Sequence, residues 1–202
     1  MQATAAIRSA PVLRPVAPSD APAMERFVAG LGAASRRWRF HGAVNGCTPA
    51  LLRQLTVADG VRHVAFVTLI GADDGETIVG EARYVVDDDG AGAEFAIAVA
   101  DSVRGCGVAD RLLRALLDAA RRAGLHHLQG DVLEGNERMA GFMRRHGFEA
   151  EIDVWAAQPG SVRWQRRLAP RRMAVAGALL ASLLAPLRVA ARSPVPARSA
   201  AL

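Results

Sequence analysis

Apolar and polar positions recur along the chain with two periods, and the changes of period mark its elements. Residues 12–16, Val-Leu-Arg-Pro-Val, form a short extended run whose proline suits a sheet edge. Ser19 stands where a helix cap is expected. Met24, Phe27, Val28 and Leu31 follow at i, i+3, i+4 and i+7, one apolar stripe. A second short helix is predicted over 33–39, within the arginine-rich Arg36-Arg37-Trp38-Arg39-Phe40. Thr48-Pro49 supplies a cap and an N1 proline for a third helix carrying Leu51, Leu52 and Leu55.

The pattern then turns to strands over 61–70, 77–87 and 93–100. Asp73-Asp74-Gly75 and Asp87-Asp88-Asp89-Gly90 separate them, which is hairpin chemistry. Residues 107–123 give the clearest helix, with Val108, Leu112, Leu113, Leu116, Leu117 and Ala120 on its buried face. Asp110–Arg114 and Asp118–Arg122 are spaced as i,i+4 ion pairs on the wet face, and Gly124 closes the end. A strand over 125–133, a helix over 137–146 ended by Gly147, and strands over 148–157 and 161–168 complete the body. Hairpin-joined strands with helices between them predict an α+β sheet domain.

The 202 residues suffice for one domain and an appendage. With 51% hydrophobic and 22% charged residues, the chain is no solvating, disordered polymer. All 25 basic residues are arginines, a bias that a GC-rich coding sequence explains. The net charge of +5 is unevenly spread. Eight arginines and no acid follow Ser161, so residues 1–160 set seventeen arginines against 20 acids, a net −3. A body of that sign, poor in aromatics, does not predict a nucleic-acid partner. Two cysteines, Cys47 and Cys106, make no disulfide framework, and no basic start precedes an apolar run at the N-terminus. A cytoplasmic location is the expectation.

Candidate chemistry gathers at residues 93–109. A strand runs into Ser102-Val103-Arg104-Gly105-Cys106-Gly107, which opens the strongest helix. Unpaired N–H groups at a helix start, with the dipole behind them, attract anions. Glycines let backbone approach a phosphate closely. No Gly-Lys-Ser/Thr follows, so this is no Walker loop, and the dinucleotide fingerprint lacks its first glycine.

Arg104-Gly105-Cys106-Gly107-Val108-Ala109 resembles the acetyl-CoA loop, Q/R-x-x-G-x-G/A, of the GNAT N-acetyltransferase superfamily. Asn136 and the helix that runs to Gly147-Phe148 resemble a second family motif at the right separation. The resemblance covers residues 12 to about 168. Leu-Arg-Pro-Val-Ala-Pro-Ser-Asp, Ser-Arg-Arg-Trp-Arg-Phe and Ala-Glu-Phe-Ala look most like bacterial protein lysine acetyltransferase domains. It implies a mixed, mostly antiparallel sheet with helices on both faces. It also implies a V-shaped gap between the strands at 93–100 and 125–133, with acetyl-CoA as cosubstrate. Pantetheine would pair with backbone near Ile97 and Val99, the pyrophosphate would rest on the amides of residues 105–109, and Asn136 would contact the pantetheine arm.

The acceptor amine, with a lysine-like pKa near 10.4, must shed a proton before attack. In the lysine acetyltransferases that this chain resembles, the glutamate matching Glu94 is the general base. Glu94, Ala96 and Ala98 share one strand face. Glu81 is the next candidate, since a hairpin could bring it across from Glu94; Asp131 and Glu134 come after. Many family members carry a tyrosine on the last helix as acid to the thiolate. Met143 occupies that position and cannot donate a proton. Tyr84 reads as packing. His126 and His127 face opposite sides of a strand, and no metal site is expected.

Three function classes follow: transfer of acetyl to a small-molecule or protein-lysine amine in a ternary complex, a non-catalytic acetyl-CoA sensor, and an adaptor driven by the basic tail. Residues 1–10 are expected to be disordered, 11–169 to form the acetyltransferase domain and 170–202 an appendage. Met173 to Leu187 carry no charge, with Leu179, Leu180, Leu183, Leu184 and Leu187 on one stripe. Fifteen helical residues span roughly 22 Å, short of the roughly 30 Å of a hydrocarbon core. A helix docked on the domain or on a second subunit, or a frayed tail, is expected ahead of weak contact with a membrane surface.

Overall fold

The computed structural model describes residues 10–42, 46–72, 75–151 and 159–169. The tail at 170–202, the turn residues 73–74 and the N-terminal nine residues lie outside the described residues, with the expectations attached to them. Within the described part the elements run β1 (Val12–Pro15), α1 (Ala21–Gly30), α2 (Ala33–Phe40), α3 (Pro49–Thr56), β2 (His63–Ala72), β3 (Gly75–Val86) and β4 (Gly92–Val99). Then come α4 (Val108–Arg122), β5 (His127–Leu133), α5 (Glu137–Arg145), β6 (Glu149–Ala150) and β7 (Ser161–Arg167). The strands form one sheet in the order β1-β2-β3-β4-β5-β7-β6, antiparallel except for β4 beside β5. The α+β expectation and the mostly antiparallel sheet are both met.

The helix stripes bury where their spacing places them. Met24, Phe27, Val28 and Leu31 of the α1 stripe are buried, with Leu55 of α3, against Val67, Leu69 and Ile78 of the sheet. On the other face the six α4 positions singled out above are all buried, against Tyr84, Phe95 and Leu128. Thr48 caps α3 by accepting from the Leu51 N–H at 3.2 Å.

Other local expectations are corrected. Ser19 does not cap α1: a 3-10 turn spans Pro18–Asp20, and the buried Asp20 accepts from Ala17 N–H at 2.8 Å and from both terminal nitrogens of Arg14. The i,i+4 pairs of α4 are both replaced. Asp110 takes a tertiary partner, His146 just past α5, at 2.8 Å, and Asp118 meets Arg121 within the same helix, at i,i+3. Of the strand predicted over 148–157, Glu149–Ala150 is strand among the described residues, and 152–158 lie outside them.

Two glycines position the site. Gly80 of β3 faces α4, and a Cβ there would stand 2.8 Å from Val108 and 2.9 Å from Leu112. The first turn of α4 is therefore seated on bare strand backbone. A bulge between Thr68 and Leu69 of β2 leaves Val79 of β3 unmatched, so Ile78 and Glu81, three residues apart, share the α1–α3 face. At Gly130 of β5, a Cβ would stand 3.0 Å from the Phe95 carbonyl oxygen. That is where β4 and β5 part.

Candidate active site

β4 and β5 pair over only three rungs, Gly92–His127, Ala93–Leu128 and Glu94–Gln129. Beyond them β4 continues alone on that side. Its other edge follows β3 to Val99, with Asp87 N–H bonded to Gly92 O and Ala100 N–H to Val79 O. Antiparallel alternation then assigns Glu94, Ala96 and Ala98 to β3. The N–H and C=O of Ile97 and Val99 face the opening instead. This opening is the wall of a cavity of about 1140 Å³, lined also by Glu94, Gly105, Gly107 to Asp110, Asn136 and Met143.

At its floor, a 3-10 turn (Asp101–Val103) leads into the glycine loop. Gly105 and Gly107 adopt φ of 80° and 75°, a region costly for residues with a Cβ. Gly107 is the N-cap of α4, whose first amides have no partner within the helix. Cys106 stands apart: its N–H bonds to Val103 O at 3.3 Å, its thiol is exposed, and it does not line the cavity. The Arg104 guanidinium turns to Ser35 of α2 and to Asp101. Asp101 in turn accepts from Gly32 N–H and Ser35 Oγ, which ties the start of α2 to the loop. Asn136 caps α5 by accepting from Met139 N–H at 3.2 Å, and its side-chain amide lies in the cavity wall.

Glu94 is exposed on the cavity wall, on the face shared with Ala96 and Ala98. Glu81 is not across from it. The register sets Glu94 opposite Val85 and Glu81 opposite Ala98, four rungs apart. Glu81 is 2% exposed, and its Oε1 accepts from Arg39 Nε at 2.9 Å and Nη2 at 2.5 Å. Its Oε2 accepts from Arg83 Nε and Nη2, both at 3.0 Å. Burial opposes its ionisation, but the two guanidinium groups outweigh it and hold the carboxyl below its usual range. Glu81 is a structural counter-ion and no base. Arg83 also donates to the carbonyls of Gln54 and Leu55, docking the C-terminal turn of α3. Asp131 is spent on Arg163, at 2.8 and 3.2 Å.

Met143, at the position expected for a tyrosine, is buried in the cavity wall beside Phe142. Tyr84 is 1% exposed in the α4 core, and burial pushes its hydroxyl pKa up. Arg83 and Asp101 are the residues that sequence reasoning did not single out for the site. The signal for Arg83 was present in β3, where Glu81 and Arg83 interrupt an apolar strand at i and i+2, on one face.

A splayed β4–β5 pair thus leaves open strand backbone above a glycine loop and a helix start suited to an anion. Residues 33–148 match the model of the Acetyltransferase (GNAT) family. The chain is 32% identical over 142 residues to Acetyltransferase PA5475 of Pseudomonas aeruginosa, covering 70% of this chain and 76% of that one. The GNAT domain of S. lividans PAT superposes with a TM-score of 0.70 at 24% identity, over 77% of this chain and 89% of that one. A cAMP-binding acyltransferase from Mycobacterium smegmatis superposes with a TM-score of 0.52 at 25% identity, over 86% of this chain and 49% of that one. The chain belongs to the GNAT acetyltransferase family of acyl-CoA N-acyltransferases, which act on amine acceptors. Among the described residues no group of three or more His, Cys, Asp or Glu side chains is placed to hold a metal ion.

Proposed function

We propose that the protein transfers an acetyl group from acetyl-CoA to a primary amine, on a small molecule or a protein lysine, by direct attack in a ternary complex. The observation that carries this reading is the unclaimed backbone of Ile97 and Val99, in the same cavity as Glu94. Pantetheine adds to β4 as a strand would, its pyrophosphate meets the loop at 104–109 and Asn136 steadies the arm. Glu94 takes the ammonium proton, directly or through water, and the amine attacks the thioester carbonyl. The C–S bond breaks, the nitrogen gives its second proton to water, and the sulfur leaves as thiolate or takes a proton from water, because Met143 has none to give. A thiol pKa near 8.5 makes that departure feasible. The two unpaired cysteines suit a cytoplasmic enzyme.

Glu94→Gln tests the mechanism. It should lower kcat at neutral pH by roughly 10²- to 10⁴-fold, with acetyl-CoA affinity unchanged. The defect should shrink toward pH 10, as free amine becomes abundant. A pH-independent defect, or none, removes Glu94 as the base. Met143 favours the second reading, a domain that binds acetyl-CoA without turnover. Single-turnover assay with labelled acetyl-CoA and a panel of amines decides between them.

A further inference from the structure

Arg39 and Arg83 line the cavity on the α1–α3 face, with Glu81 buried behind them. Their side chains are 11% and 8% exposed, and among the described residues Glu81 is the one carboxylate in ion-pair reach of either. Two guanidinium groups therefore share one negative charge in a nearly dry setting. His63, whose Nε2 lies 3.2 Å from Arg83, adds no compensation: burial and the arginine both keep its ring neutral. Glu94 is exposed, two rungs from Arg83 or about 7 Å along the strand, and among the described residues it makes no ion pair with either arginine. The Asp131 charge is consumed by Arg163. A buried charge left without a counter-ion is strongly unfavourable, so a site of this kind is completed by an anion.

The hydrogen bonds show where that anion enters. Arg83 is saturated by Glu81, the α3 carbonyls and His63 Nε2. Arg39 turns Nε and Nη2 to a single Glu81 oxygen and rests 5.0 Å over the Phe40 ring, while its Nη1 has no hydrogen bond among the described residues. We infer that Arg39 Nη1 receives a carboxylate carried by one of the two reactants, so that the enzyme prefers a carboxylate-bearing ligand over its neutral counterpart. This rests on the acyl-transfer reading of the same cavity. The carboxylate has two possible carriers, a dicarboxylic acyl thioester such as succinyl-CoA or an acidic amine acceptor.

Calorimetric titration of the full-length protein separates them. One arm compares succinyl-CoA with acetyl-CoA; the other compares Lys-Glu with Lys-Gln, both amidated at the C-terminus, in the presence of CoA. The carboxylate member of one arm should bind about ten- to a hundredfold more tightly, the usual worth of a hydrogen bond to a charged group. Arg39→Gln should abolish the preference, and it leaves Glu81 and Arg83 a balanced pair, so the fold should persist by thermal unfolding. Arg39→Lys, which keeps the charge without the fork, should retain part of the preference and serves if the glutamine variant does not fold. Equal binding in both arms, or a preference unaffected by both variants, overturns the inference. Transfer assays on the same pairs distinguish the two readings. Turnover without a preference refutes the carboxylate site alone, whereas a binding preference without turnover refutes acyl transfer alone.

Discussion

On the α4 face of the sheet, Ala82, Tyr84 and Phe95 meet Leu112, Leu113 and Leu116 in an uncharged, fully packed layer. On the opposite face the neighbouring rungs carry Glu81, Arg83 and Glu94, beneath α2 and α3. The α4 face holds the glycine loop, since Val108 and Leu112 lie against Gly80. The other face holds the ions. Apolar packing is non-directional and fixes a helix start rigidly, which is what a cofactor's phosphates need. Ion pairs fix particular atoms, which is what discrimination between reactants needs. The division is not complete, because Asp101 and Ser35 bind the loop to α2 and join the two sides.

The comparison breaks hardest at Glu81. Glu81→Gln leaves two buried guanidinium groups without a carboxylate and should cost about 3–5 kcal/mol, read by denaturant unfolding. A loss below about 1 kcal/mol would mean that the α1–α3 face does not depend on its ions. On the other side, Gly107→Glu places a Cβ at φ 75° and a negative charge where we propose that the pyrophosphate binds. Acetyl-CoA affinity should fall on the order of a hundredfold with the fold intact, as like-charge contact costs several kcal/mol. Unchanged affinity would misplace the cofactor.

A smaller effect is set by acid. Asp20 is held below its usual carboxyl pKa, first by the Arg14 hydrogen bonds and also by the Ala17 N–H. Its contribution to stability is therefore full above about pH 4 and lost as pH falls through the lower, folded pKa. Arg14→Gln should flatten that part of the stability profile between pH 5 and pH 2 (about the range of the loss). Removal of residues 170–202 should have the smallest effect, with both faces folded and acetyl-CoA bound as before. Insolubility or loss of binding would place the tail within the domain; loss only of sedimentation with anionic vesicles would make it a membrane-surface segment.

Much of this was readable in the chain. The α4 stripe, the three helices before β2 and the glycine loop follow from periodicity and from residues with few conformational choices, which act locally. Glu94 on the face of Ala96 and Ala98 needed only the two-residue period of a strand. Glu81 shows the limit. As a second acid near Glu94 it looked like a spare base, since sequence spacing carries no strand register. Register places it four rungs away, between Arg39, 42 residues earlier, and Arg83.

The amino-acid sequence alone determined which segments become helices and strands, which faces they bury, and where backbone stays open to an anion, because each depends on contacts within a few residues. Only the tertiary structure decided where β4 and β5 part, which acid is a counter-ion and which faces the cavity, and that among the described residues nothing accepts from Arg39 Nη1. Those outcomes depend on register, on a bulge at Val79 and on charges brought together from distant segments, and no local pattern encodes them.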